Sequence, residues 1–114
     1  MINKEIDEMR HLTDEMSKAI STEYKKRVLA DERKLEAVLK ENGWRKASEV
    51  AREIFDEIDN LLLITIGIID ESLDNAVREN NFVVASVMSN NRSLVDTLRT
   101  AISVRKKKYT EGEE

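Results

Sequence analysis

Apolar residues recur at spacings of three and four along nearly the whole chain, interrupted at two short polar corners. From Asn3 to about Asn42 the sequence carries Ile6, Met9, Thr13, Met16 and Ile20, then Tyr24, Val28, Leu35, Val38 and Leu39, which is the period of one helix face. The stripe is narrow and thins near Ser21-Thr22, where one long helix or two shorter ones would both fit. A second helix is predicted from Arg45 or Ser48 to Glu79. It puts Ala47, Val50, Ala51, Ile54, Phe55, Ile58, Leu61, Leu62, Ile69, Leu73, Ala76 and Val77 on a broader face. A third, from Phe82 to about Tyr109, carries Val84, Val87, Met88, Leu94, Val95, Leu98 and Ile102. Residues 110–114 read as a frayed acidic tail.

The corners carry their own stop signals. If Gly43 is the left-handed residue after the first helix, Trp44 and Leu39 form the apolar contact of a Schellman cap. Asn80-Asn81 ends the second helix, since Asn tolerates left-handed backbone better than most residues. The run Leu35 to Ser48 aligns without gaps on Leu73 to Ser86, so one helix, turn and helix unit is used twice. In each copy the aromatic after the turn is expected to plug the hairpin end, and the Ala three residues on lets the helices approach closely. That aromatic and Ala spacing resembles the inner turn of a tetratricopeptide hairpin. The resemblance implies an antiparallel hairpin; these helices are far longer than that family's, so no peptide groove is carried over.

Two tight turns make three helices run up, down and up. The expected fold is all-α: an elongated antiparallel three-helix bundle over residues 1–109, with rods of roughly 45 to 57 Å. A four-helix bundle is the alternative if the first helix breaks near Ser21. Composition agrees, with 37% charged residues, no Pro, three Gly and 4% aromatics in 114 residues. The absence of Cys excludes disulfides, thiolate metal sites and a Cys nucleophile. The stretch Leu61 to Ile69 is too short to span a membrane, and the start of the chain lacks the basic and apolar runs of a signal peptide, which predicts a cytoplasmic protein with no membrane partner.

Charge and the apolar run of the second helix then single out two surfaces. Leu61 to Ile69 puts apolar side chains all round that helix, whereas two neighbours cover only part of its circumference. Leu63, Ile64 and Gly67 are predicted on the uncovered side, among Glu49, Glu53, Asp56, Asn60, Asp70, Glu71 and Asp74. An apolar patch in an acidic field predicts a protein interface, with a second copy of the chain as its expected occupant. Residues 49–79 hold nine acids and two bases, and residues 82–109 hold six bases and one acid, so these helices should attract along their rims. The net charge of −4 excludes a wholesale nucleic-acid coat but permits a local basic patch. Up-down-up order gathers Arg33, Lys34, Lys40, Arg45, Lys46, Arg105, Lys106, Lys107 and Lys108 at one pole, with Trp44 and Tyr109 nearby as stacking groups for nucleic acid.

Candidate chemistry is sparse. Glu8-Met9-Arg10-His11 matches the Glu-x-x-His spacing of di-iron bundles, but Ile6 and Met9 point inward, so Glu8 and His11 fall outside and no metal is expected. Glu53-Ile54-Phe55-Asp56 and Asp59-Asn60-Leu61-Leu62 resemble the metal-binding helix of the all-α MazG-like nucleotide pyrophosphohydrolases. The resemblance would imply magnesium-dependent hydrolysis of nucleoside triphosphates. The upstream Glu-Glu-x-x-Glu of that family is missing, since Asp14-Glu15-Met16-Ser17-Lys18 ends in Lys, which removes an oxygen ligand. No Gly-rich phosphate loop is found. The sequence therefore predicts no enzyme, cofactor or small-molecule substrate. It predicts a homodimeric protein-interaction module serving as regulator, inhibitor, adaptor or assembly factor, with a small nucleic-acid-binding subunit as the alternative.

Overall fold

A computed structural model describes residues 2–111. Three helices fill it: α1 (Ile2–Asn42), α2 (Trp44–Arg78) and α3 (Phe82–Thr110). They run up, down and up in an elongated body with extents of 60 × 22 × 17 Å. The first helix is continuous through Ser21-Thr22, which removes the four-helix alternative. Thr110, expected in the tail, is the last helical residue and returns its hydroxyl to the Lys106 carbonyl. Residues 112–114, also assigned to the tail, lie outside the described residues.

The two corners are built differently, although their sequences align. Gly43 has φ 81° and ψ −178°, a combination open in practice to glycine alone, and its N–H donates to the Leu39 carbonyl at 2.9 Å. Trp44 already begins α2, so one residue ends one helix and starts the next, and this single bond stands in place of the paired Schellman hydrogen bonds. The paired Schellman bonds form instead at the second corner. There Asn80 takes φ 56°, its N–H donates to Val77, and the Asn81 N–H donates to Ala76. The Asn81 side chain then caps α3 by accepting from the Val84 N–H at 3.2 Å.

Phe55, Ile58, Leu62, Ile66 and Ile69 of α2 meet Val95, Ile102 and Tyr109 of α3 in the buried core. Removal of this apolar area from water is the main stabilising term. The narrow stripe of α1 adds Val28 and Leu35 as buried residues, with Met16, Ile20 and Tyr24 half-buried against them. The rim attraction between α2 and α3 takes the form of three ion pairs from bases seven residues apart. Arg92 binds Asp70 at 2.6 Å, Arg99 grips Asp59 through two nitrogens at 2.8 and 3.2 Å, and Lys106 reaches Asp56 at 2.7 Å. Asn91 is fully buried in the apolar stripe of α3, accepting from the Ser17 hydroxyl at 2.9 Å and donating to the Val87 carbonyl at 3.0 Å.

Three expectations about exposure change. Leu61 is 42% exposed and Val77 60%, so both leave the inward face assigned to them. Phe82 is 74% exposed and does not plug the second hairpin, because the three-residue corner carries it past the helix ends. Tyr109 moves the other way: it is buried, with its ring 6.0 Å from that of Phe55 and its hydroxyl donating to Glu36.

Candidate interaction surfaces

The uncovered side of α2 is an apolar belt. Leu61 and Leu63 are each 42% exposed, Ile64 and Ile68 each 60%, and Gly67 lies exposed among them. At 100° per residue, Leu61, Ile64 and Ile68 share one side of the helix while Leu63 turns towards α3. Leu63 sits one turn from Asp59 and two from Asp70, the acids held by Arg99 and Arg92. Sequence periodicity named Leu63, Ile64 and Gly67; Leu61 and Ile68 were missed because their spacing also suits an inward stripe. A Cβ built on Gly67 meets nothing within 4 Å, so nothing inside the bundle requires glycine at a position where it costs about 1 kcal/mol against Ala.

Beside the belt, α1 and α2 part to leave an open groove of about 390 Å³ with walls of Ala19, Ile20, Glu23, Tyr24, Leu61 and Thr65. Below it Arg27 binds Glu57 at 2.8 Å and fixes the level of α1 against α2. Burial lifts the Tyr24 phenol above its ordinary value, opposed by the neighbouring Arg105 guanidinium. Asp31, one turn from Arg27, is likewise raised, chiefly by desolvation and against the pull of Arg27.

The polar residues expected around the belt separate into two groups. Asp56 and Asp70 are engaged by Lys106 and Arg92 and belong to the joint between α2 and α3. Asn60, Glu53, Glu71 and Asp74 are exposed at the belt's margins. Asp56, Asp59 and Asp96 line one groove with Arg99 and Lys106, whose cations neutralise two of the three carboxylates. Among the described residues no three acids or histidines converge in a metal-binding arrangement, and this includes the helix resembling the pyrophosphohydrolases. Glu8 and His11 are exposed on the outer side of α1.

The basic pole forms but is partly neutralised. Arg105 is paired with Glu32, Lys106 with Asp56 and Lys46 with Glu49, while Lys108 stands 5.4 Å from the centre of the Tyr109 ring. Burial removes Tyr109 as a stacking group, and Trp44, 38% exposed, remains. Among the described residues Arg45 and Lys107 have no carboxylate partner. Among the described residues no helix is long and apolar enough to cross a membrane. Comparison with known protein families, with characterised proteins and with solved structures finds no match for this chain.

Proposed function

We propose that the chain is a non-catalytic protein-interaction module that works as a homodimer through the apolar belt of α2. The exposure of Leu61, Leu63, Ile64 and Ile68 around one helical stretch carries this reading, because no other segment of the described chain covers them. Exposed apolar side chains this concentrated, rimmed by acids, are what a protein partner desolvates at the centre of an interface. The open space over Gly67 adds to it, since a glycine with no internal role suits the close approach of a second backbone. Sedimentation at micromolar concentration tests the proposal: the parent chain should run as a dimer and Ile64→Asp as a monomer of unchanged helicity. A parent chain that stays monomeric would end it.

A second reading rests on the start of α2. Arg45 and Lys46 sit in its first turn, where the helix dipole disfavours cations, and no side chain caps that turn. Capping therefore does not account for these bases, and a polyanion such as a nucleic-acid backbone would use them together with Lys107. Oligonucleotide affinity that falls steeply with salt, and flattens when Arg45, Lys46 and Lys107 are neutralised, would favour this function over the first. No binding at low salt would retire it.

A further inference from the structure

Which surface of the second copy receives the belt follows from charge and level, given the self-association proposed above. We propose that two copies pair about a twofold axis parallel to the long axis of the bundle, so that α2 of each lies against the basic outer row of the other's α1.

The row on α1 starts in the groove wall at Ala19 and continues through Lys26, Ala30 and Arg33, in steps of seven, four and three residues that keep one side of a helix. All four are exposed. The row on α2 runs through Glu53, Glu57, Leu61, Ile64 and Ile68, all exposed, and meets the same groove at Leu61. Both rows therefore look out from one face of the molecule. The Arg27 to Glu57 contact sets their levels. Glu53 and Glu57 stand level with the stretch from Lys26 to Arg33, and Ile64 stands level with Ala19, the two helices being antiparallel with a rise of about 1.5 Å per residue.

Rotation about the long axis leaves every level unchanged and brings α2 over the partner's α1. Glu57 then opposes the partner's Lys26, and Glu53 opposes the partner's Arg33. Leu61 and Ile64 come down on the partner's Ala19, whose small side chain lets the helices close. Each contact occurs twice. The obvious competitor, two α2 helices crossed antiparallel at Ile64, sets Glu57 against the partner's Glu71 and presses acidic margins together at both ends. That juxtaposition of like charge at both ends disfavours it, while the rotated arrangement brings opposite charges together over the half that carries Lys26 and Arg33.

The chain has no cysteine, so single replacements give unambiguous links. Ala19→Cys and Ile64→Cys chains carrying different tags would be co-expressed, purified together and oxidised. The expected product is a mixed pair joined by a disulfide between the two introduced cysteines, so that one species carries both tags. The charge arm uses Arg33→Glu, which should raise the dimer dissociation constant about tenfold through its two symmetry copies. Adding Glu53→Lys to the same chain should restore association. Ile64→Cys chains that link mainly to one another would overturn this packing and leave homodimerisation intact. A dimer with no links and no response to Arg33→Glu would also overturn it. A chain that sediments as a monomer throughout would remove the homodimer itself.

Discussion

Tyr109 shows how a single side chain can change role between sequence and structure. Placed among Arg105 to Lys108, it reads as a surface aromatic beside a basic cluster; in the fold it closes the core against Phe55. Its position seven residues after Ile102 continues the buried stripe of α3, a signal that the surrounding lysines obscure. Burial raises its phenol above the ordinary value, and the Glu36 carboxylate adds to the shift. A raised phenol gives stability that is complete below the unfolded value near 10 and is lost as pH climbs through the folded value. Thermal unfolding followed from pH 8 to pH 11 should therefore show Tm falling in the alkaline range. Tyr109→Phe should flatten that fall, and an unchanged slope would show that other groups cause it.

At the scale of the helix, Asn91 is the most informative departure from pattern. It lies four residues from both Val87 and Val95, so the stripe of α3 passes through it, yet a polar residue at a core position is invisible to a search for apolar periodicity. Its amide joins Ser17 of α1 to the Val87 carbonyl in an otherwise apolar layer and thereby favours one setting of α1 on α3. Asn91→Ala should lower stability in denaturant titration by about 1 to 3 kcal/mol, the range for leaving a buried partner group unsatisfied and a small void behind. A loss below a few tenths would mean that α1 finds its setting from apolar packing alone. The number, sense and approximate ends of the helices were legible in the sequence because the three-and-four spacing is sustained and the corners are short. Leu61, Val77 and Phe82 were not placed correctly, because their exposure depends on how far two neighbours reach round α2 and on where the second corner releases the chain.

Across the whole molecule, the attraction between α2 and α3 was readable from their opposite charges, and the spacing of Arg92, Arg99 and Lys106 shows how it is distributed. The apolar belt was only half readable: a helix that is apolar all round announces an uncovered side, but which residues end up there depends on the angle at which α1 crosses. Connectivity adds a property that neither charge nor burial reveals. Because the first corner is a single glycine, turning its backbone into the helical region would fuse residues 2 to 78 into one straight rod of about 115 Å, with the α1 half detached from its own hairpin. Such a rod can rebury its stripe only on another molecule, the route by which hinge residues give exchanged-segment dimers. Gly43→Ala, which disfavours the present φ of 81° and favours helix, should weaken the compact form by about 1 to 3 kcal/mol. X-ray scattering at rising concentration should then show a species far longer than 60 Å. If the variant keeps its present dimensions at every concentration, the corner is held by its surroundings and not by the freedom of one residue.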